Sequence, residues 1–161
     1  VLYNNQVSDL IEFRPPTFAP VNVSKALLRG ATLTYDGRFA EWAAGVALDF
    51  LDPRNEENGP NNGNRLARRA EQQMSSYVDW NHGNWKLRAE WQLVGNRYDD
   101  PANLVRLGGY GLVNLYADYR FERDWALFAR ANNIFDKNYE TIASYATAGA
   151  NVFVGVRYTP R

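Results

Sequence analysis

Apolar and polar side chains alternate along several long stretches of this chain. Because successive side chains of a β-strand point to opposite faces of a sheet, such alternation predicts strands with one apolar face and one polar face. Four stretches show the pattern best. Their apolar alternate positions are Ala40, Trp42, Ala44, Val46, Leu48 and Phe50; Trp85, Leu87, Ala89, Trp91 and Leu93; Val113, Leu115, Ala117, Tyr119 and Phe121; and Val152, Val154, Val156 and Tyr158.

The predicted strands are long, which favours a membrane-spanning sheet. A typical soluble strand has about 5 or 6 residues, whereas a tilted strand that crosses a bilayer needs about 9 to 11. The alternation is weakest in the first strand. We predict eight strands, over residues 1–13, 18–36, 38–51, 69–82, 84–98, 110–121, 125–135 and 148–158.

Aromatic residues cluster near the ends of these strands. Outer-membrane barrels carry aromatic girdles at both membrane interfaces, so this placement favours a membrane barrel. A soluble antiparallel sandwich, or a lipocalin-like barrel with an aromatic core, is the alternative. The aromatic residues concerned are Tyr35, Trp42, Phe50, Trp80, Trp85, Tyr98, Phe121, Trp125 and Tyr158.

Short and long connections alternate along the chain. The short ones are predicted at Asp36-Gly37, 82–84 and 122–124, and the long ones at 52–67, 99–109 and 136–148, with 14–17 on the side of the long ones. Bacterial outer-membrane barrels have short periplasmic turns and long extracellular loops. The fold class predicted is therefore all-β, an antiparallel transmembrane β-barrel of the bacterial outer membrane, with the C-terminus in the periplasm.

The composition excludes several other classes of protein. Eighteen basic and eighteen acidic residues leave a formal net charge of zero, which argues against a nucleic-acid partner. The chain has no cysteine, so thiolate zinc sites and disulfides are excluded. No run of about 18 apolar residues suggests a transmembrane helix, and no signal peptide is evident.

Nothing in the sequence predicts an enzyme, a metal site or a cofactor. His82 is the one histidine and lies in a predicted short turn, where a solvated role is the simplest interpretation. Gly108 and Gly109 lack the lysine and the strand-to-helix context of a phosphate-binding loop. The acidic stretch 52–57 lacks the ligand spacing of a calcium loop.

The segment from Asn132 to Glu140 carries a family resemblance. Asn132, Asn133, Ile134, Phe135, Asp136, Lys137, Asn138, Tyr139 and Glu140 resemble the C-terminal signature of TonB-dependent receptors, in which the second-last strand ends before a loop and a closing strand. Stretches 66–73, 95–99 and 145–149 are similar to the vitamin B12 receptor branch. Two departures are the missing acidic residue after Gly30 and a C-terminus that continues beyond Tyr158.

The resemblance implies that residues 1–161 are the C-terminal portion of a barrel of about 22 strands. It also implies a plug domain and earlier strands that are absent here, with a TonB box in the plug that contacts the TonB-ExbB-ExbD system. The implied function is the barrel wall of an active importer of cobalamin or a related large chelate. Lipid, lipopolysaccharide and the barrel-assembly machinery are the other implied partners. The alternatives are a ferric-siderophore receptor segment, or a small eight-stranded barrel that closes on itself without transport activity.

The candidate ligand-binding residues lie on the predicted extracellular rim. They are Arg68, Arg69, Tyr98, Asp99, Tyr139 and Tyr145. Rim arginines suit amide- or phosphate-bearing ligands, and rim aromatics pack on a corrin or siderophore; the alternative roles are contacts with lipopolysaccharide phosphates or water, and interface anchors. A second set is predicted to form a polar network in the barrel lumen: Lys86, Arg88, Glu90, Asp118 and Arg120.

Overall fold

The computed structural model describes residues 1–14 and 19–160, and its regular structure consists of β-strands. Ten strands are present within these ranges. They are β1 (Leu2–Arg14), β2 (Ala19–Phe39), β3 (Trp42–Asn55), β4 (Gln72–His82), β5 (Trp85–Val94), β6 (Arg97–Tyr98), β7 (Arg106–Leu107), β8 (Tyr110–Arg120), β9 (Trp125–Asn132) and β10 (Asn151–Tyr158). The described ranges contain no helix with the length and hydropathy needed to cross a membrane.

Eight of the strands form one antiparallel sheet. Its order, β1-β2-β3-β4-β5-β8-β9-β10, follows the chain, while β6 and β7 pair with each other in a small hairpin. The prediction of an all-β fold with eight long antiparallel strands is confirmed. Over the described residues the sheet stays open, with β1 and β10 at its edges.

The strand register places the predicted apolar positions on one face, here called the apolar face. Leu87 lies opposite Trp80 on β4 and Ala117 on β8, whereas the neighbouring Arg88 lies opposite Asp79 and Tyr116. Several apolar-face side chains are exposed, among them Leu33 at 58% and Val154 at 66%. A sheet of a water-soluble protein would bury such residues, so this exposed face is suited to lipid. The opposite side is called the polar face.

The apolar face ends in a belt of aromatic side chains at the end of the sheet that carries the short turns. These turns occupy 40–41, 83–84 and 121–124, and define the short-turn end. Ring centroids are 6.3 Å apart between Trp42 and Trp80, 4.5 Å between Trp85 and Tyr119, and 4.7 Å between Trp125 and Tyr158. Amphipathic rings of this kind sit at a membrane–water interface.

The turn predicted at Asp36-Gly37 is wrong. Asp36 lies inside the β2–β3 ladder, opposite Gly45, and its carboxylate accepts a hydrogen bond of 2.8 Å from the Tyr77 hydroxyl. The chain turns instead at 40–41, where Ala40 takes a φ of 51°. The pairing with β3 therefore overrides the turn preference of an Asp-Gly pair.

Strand β1 lies beyond the apolar face rather than across it. Leu2 pairs with Ala31, which pairs with Phe50 at the upper limit of the apolar face, and the rest of β1 pairs with 19–30. Most of β1 thus pairs with a part of β2 that lies outside the stretch where apolar and polar side chains alternate, and alternation is correspondingly weak in β1. The connection predicted at 14–17 falls mainly outside the described residues.

Two glycines let aromatic rings lie flat on the polar face. A Cβ atom on Gly155 would come within 2.5 Å of the Phe128 ring, and one on Gly45 within 2.5 Å of the Tyr77 ring. A larger residue at either position would push the ring away from the sheet. The small buried core lies elsewhere, at the other end of the sheet, where Val23, Ala26 and Leu66 pack together.

Candidate functional site

Three long connections meet at the end of the sheet opposite the short turns, here called the loop end. Loop A covers residues 56–71, loop B 95–109 and loop C 133–150. The predicted alternation of short and long connections is therefore confirmed by the strand order. All six candidate rim residues lie on these three loops.

Two asparagine side chains join loops A and B. The Asn103 side chain accepts a hydrogen bond of 2.9 Å from the Arg65 backbone N–H and donates one of 2.9 Å to the Arg65 carbonyl. The Asn103 side chain thus satisfies both the backbone N–H and the carbonyl of Arg65, as a neighbouring strand would. A further bond of 3.0 Å runs from the Asn64 side chain to the Pro101 carbonyl.

Arg68 and Asp99, two predicted rim residues, form an ion pair between the same loops. The Arg68 Nε lies 2.7 Å from the Asp99 Oδ1, and the Arg68 backbone N–H donates to the Tyr98 carbonyl at 2.6 Å. Arg68 has a φ of 60°, a sparsely populated conformation that these two bonds hold in place. The structure thus brings Arg68, Tyr98 and Asp99 together, with the charge of Arg68 already paired.

Loop C is attached to loop B through Arg97. Its side chain is 5% exposed, and its Nη2 donates to the Glu140 carbonyl at 2.5 Å. The guanidinium carbon lies 5.4 Å from the centre of the Tyr110 ring, and the Tyr110 ring in turn contacts the Tyr139 ring in a tilted arrangement with centroids 4.3 Å apart. Tyr139 is thereby linked to the site built by loops A and B.

Tyr145 and Arg69 stand apart from these contacts. The Tyr145 side chain is 64% exposed on loop C. Arg69 is half-buried, and its guanidinium makes no hydrogen bond or ion pair with the residues that the structure describes. Of the six candidate residues, these two therefore have the side-chain groups most available for contact with a ligand. Ligand binding by all six stays a prediction.

The Asn132–Glu140 motif builds a turn. Asn133 is 5% exposed; its side chain accepts from the Lys137 N–H at 2.9 Å and donates to the Lys137 carbonyl at 3.0 Å. Asn133 and Asp136 have φ values of 48° and 49°, which asparagine and aspartate tolerate better than other non-glycine residues. Asp136 then accepts from the Ala150 N–H at 2.8 Å and so ties the start of loop C to its end.

All five predicted lumen charges lie on the polar face, and three of them, Arg88, Glu90 and Asp118, form ion pairs there. Arg88 contacts Asp79 through two bonds of 2.6 and 2.7 Å, and Glu90 lies within 4.0 Å of both Arg88 and Arg130. Asp118 pairs with Arg157 on the edge strand. Lys86 and Arg120 lie on the same face, opposite Asp118 and Ala126 respectively.

Charged groups also lie above the apolar face. Asp52 accepts hydrogen bonds from Arg29 at 2.7 Å and from Arg54 at 2.5 Å. Burial raises the pKa of the Asp52 carboxyl, but these two arginines outweigh it and hold the pKa below its ordinary value. Asp52 is therefore ionised at neutral pH.

Among the described residues, no group of three or more acidic or histidine side chains is arranged to hold a metal ion.

Sequence reasoning missed the residues that hold the loops together. Arg97, Asn103 and Tyr110 were not among the candidates, although Arg97 lies directly before Tyr98 in the stretch that resembles the receptor family. The position of this arginine between Asn96 and Tyr98 is only a weak indication of a functional role. Its partner Glu140 is 43 positions away, which no local pattern reveals.

The chain belongs to a known family of membrane receptors. Residues 1–134 match the family model described as TonB dependent receptor-like, beta-barrel, and the chain is a member of that family. The proteins of this family and the structures compared below are outer-membrane receptors and transporters, which implies a bacterial outer-membrane location.

Several solved structures share the fold. The siderophore receptor PiuA from Acinetobacter baumannii aligns with a TM-score of 0.79 at 21% identity, over 98% of this chain and 25% of that chain. The ferric citrate transporter FecA aligns with a TM-score of 0.77 at 18% identity, over 97% and 27%. The ferric yersiniabactin uptake receptor FyuA from Yersinia pestis aligns with a TM-score of 0.75 at 20% identity, over 96% and 26%. This chain spans about a quarter of the length of these receptors.

Proposed function

We propose that this chain is the C-terminal barrel wall of a TonB-dependent active transporter that imports a large metal chelate. The single observation that carries the proposal is the loop end: three long loops are fixed to one another above a sheet whose polar face is lined with charges. Such an arrangement supplies a shaped mouth and a polar wall for a ligand too large for diffusion through a small pore.

Cobalamin is the ligand proposed from the resemblance of stretches 66–73, 95–99 and 145–149 to the vitamin B12 receptor branch. A ferric siderophore is the second candidate. It is favoured by the structural neighbours, which include a siderophore receptor and a ferric citrate transporter. In either case the chain would act with a plug domain and with the TonB-ExbB-ExbD system, which lie outside these residues.

The side chains proposed to contact the chelate are those with free groups at the loop end. Tyr145 offers an exposed ring for packing on a corrin or an aromatic chelator, and Arg69 offers a guanidinium that makes no hydrogen bond or ion pair with the described residues. The charges of Arg68 and Asp99 neutralise each other, and this ion pair joins loops A and B. We therefore assign these two residues to positioning the site. The contact between the rings of Tyr139 and Tyr110 fixes the position of the Tyr139 side chain.

The test is a binding titration of the full-length protein that contains this chain. Purified protein is titrated with cobalamin, ferric citrate and a ferric catecholate or phenolate, and uptake of the bound chelate is compared in cells with and without TonB. We expect saturable binding of one chelate class and TonB-dependent uptake of it. Cobalamin binding supports the vitamin B12 branch, while binding of an iron chelate alone rejects that branch.

Paired tyrosine variants locate the site. Tyr145→Ala should weaken binding by about tenfold, since loss of one buried aromatic contact corresponds to roughly 1–2 kcal/mol. Tyr35→Ala is the matched control, because Tyr35 is similarly exposed, at 70%, but lies on the apolar face. Equal affinities for both variants and the parent protein, or the absence of chelate binding of any class, would overturn the proposal.

A further inference from the structure

Loop A contains two asparagine–glycine pairs in quick succession. They are Asn58-Gly59 and Asn62-Gly63, and no other asparagine of the chain directly precedes a glycine. Glycine has no Cβ atom, so its backbone nitrogen is poorly shielded and its conformation is little restricted. In such a pair the glycine nitrogen can attack the side-chain amide of the asparagine before it, provided that both groups are free to move. The surroundings of the two pairs therefore decide which of them reacts.

The second pair has hydrogen bonds on both of its reacting groups. The Gly63 N–H donates to the Asn55 carbonyl at 2.7 Å, and the Asn62 side-chain amide donates to the Glu57 carbonyl at 3.0 Å. The Asn62 N–H also donates to the Gly59 carbonyl at 3.2 Å. Because attack requires the Gly63 nitrogen to turn toward the Asn62 side chain, these bonds have to open before this pair reacts.

The backbone around Gly63 is also fixed to β3 and to loop B. The Gly63 carbonyl accepts a hydrogen bond of 3.1 Å from the Arg54 Nη1, and the Asn55 N–H donates to the Asn64 carbonyl at 2.8 Å. The Asn64 side chain donates to the Pro101 carbonyl of loop B at 3.0 Å. The second pair thus belongs to the anchored part of loop A, where local opening is costly.

The first pair lies at the exposed tip of the same loop. Asn58, Gly59 and Pro60 are all exposed, and a Cβ atom on Gly59 would meet no atom within 4 Å other than those of its chain neighbours. Within residues 1–14 and 19–160, the Asn58 side chain makes no hydrogen bond and the Gly59 N–H donates none. The reaction of this pair therefore needs no bond between described residues to open.

We propose that Asn58 is a site of spontaneous deamidation and that the folded loop protects Asn62 from the same reaction. The Gly59 nitrogen, after losing its proton, forms a bond to the Asn58 side-chain carbonyl carbon; the Cγ–Nδ2 bond breaks and ammonia leaves. Water then opens the resulting five-membered imide ring at either of its carbonyl carbons. Opening at Cγ gives aspartate, and opening at the main-chain carbonyl carbon gives isoaspartate.

The conversion adds a negative charge to a part of loop A that is already acidic. Glu56 and Glu57 come directly before Asn58, and the Glu56 carboxylate lies 3.9 Å from the Lys25 ammonium. Isoaspartate also lengthens the backbone, because the chain then continues through the former side chain. Older copies of the protein therefore differ from new ones in charge and backbone at the tip of loop A. The proposal does not depend on which ligand the protein imports.

The test incubates the purified full-length protein that contains this chain in lipid nanodiscs, at neutral and at mildly alkaline pH. Trypsin cleavage after Arg54 and Arg65 releases both pairs in one peptide, so fragment masses compare them directly. Conversion at Asn58 should be about tenfold faster than at Asn62, the ratio expected when two hydrogen bonds have to open first. Both rates should rise with pH, and both aspartate and isoaspartate should form from Asn58.

The same protein unfolded in guanidinium chloride is the matched control, because neither pair is then held and the two rates should become similar. Asn58→Gln should abolish conversion at this position and leave Asn62 unchanged, since the longer side chain does not form the five-membered ring. Equal rates at the two pairs in the folded protein would overturn the proposal, as would a ratio that unfolding leaves unchanged. Absence of conversion at Asn58 in the folded protein, or aspartate without isoaspartate, would also reject it.

Discussion

At the short-turn end of the sheet, strands are joined by turns of two to four residues and covered by paired aromatic rings, whereas at the loop end three long connections hold one another through polar side chains. Trp85 and Tyr119 at the first end are brought together by strand register alone. Arg97 and Glu140 at the second end meet across 43 residues of chain. One end is thus determined by local sequence and the membrane interface, and the other by a few specific hydrogen bonds between distant segments.

The largest effect is expected for Asn133→Ala at the loop end. This change removes two hydrogen bonds to Lys137 and places alanine at a positive φ, so the free energy of unfolding should fall by about 2–4 kcal/mol. Equilibrium unfolding of the full-length protein in lipid vesicles measures the change. Asn138→Ala, an exposed asparagine of the same turn, serves as the control and should leave stability unchanged. Equal effects of the two variants would show that the buried amide does not hold the turn.

A smaller loss is expected for Trp85→Ala at the short-turn end. The ring contacts that of Tyr119 in a tilted arrangement with centroids 4.5 Å apart, and its removal should lower the free energy of unfolding by about 1–2 kcal/mol. Trp85→Phe keeps an aromatic pair and should retain most of that stability. If Trp85→Phe and Trp85→Ala behaved alike, the belt would contribute through the indole N–H rather than through stacking.

The ion pair between loops A and B should contribute less. Because Arg68 and Asp99 are partly exposed, solvent screening limits their coupling to about 0.5–1 kcal/mol. A double-mutant cycle of Arg68→Met and Asp99→Asn measures this coupling, and amide hydrogen exchange in 95–109 should rise in each single variant. A coupling energy near zero with unchanged exchange would mean that the loops are joined by their other hydrogen bonds, those of Asn103, Asn64 and the Arg68 backbone N–H, without help from the ion pair.

The smallest effect is expected for His82→Ala. His82 stacks on Trp80 with centroids 5.5 Å apart and contacts Glu41, yet both the histidine and the glutamate are exposed at the short-turn end. The free energy of unfolding should therefore change by less than about 0.5 kcal/mol. Thermal unfolding of this variant beside Trp85→Ala tests whether the short-turn end depends on its rings rather than on its charges.

The sequence predicts the sheet well because strand alternation is a local property. Residues 84–98 are predicted as a strand and β5 runs from Trp85 to Val94, since apolar and polar side chains alternate along this stretch. The Asp36-Gly37 turn is predicted wrongly because β2 and β3 continue to pair past it, and pairing is a property of two segments. The position of β1 along the sheet is also not predicted, because the register of a strand depends on the partner strand with which it pairs.

The candidate site is predicted only in part. The sequence predicts Arg68, Tyr98 and Asp99 as rim residues from their position in loops, and the structure brings them together. The buried contacts that hold the loops, at Arg97 and Asn103, could not be read from the chain, because both bonds join segments more than 30 residues apart. The Asn132–Glu140 motif identifies the family, but only the hydrogen bonds of Asn133 reveal that it acts as a turn.

The role of Asn103 has a consequence for how the surface of this protein can diversify. Asn103 joins loops A and B through backbone atoms of Arg65, so its bonds do not depend on the identity of the neighbouring side chains. Leu104 and Val105, directly after it, are 83% and 45% exposed, and their backbone N–H groups are held by Asp100. The outward side chains at the tip of loop B can therefore be exchanged while the hydrogen bonds that join loops A and B are kept.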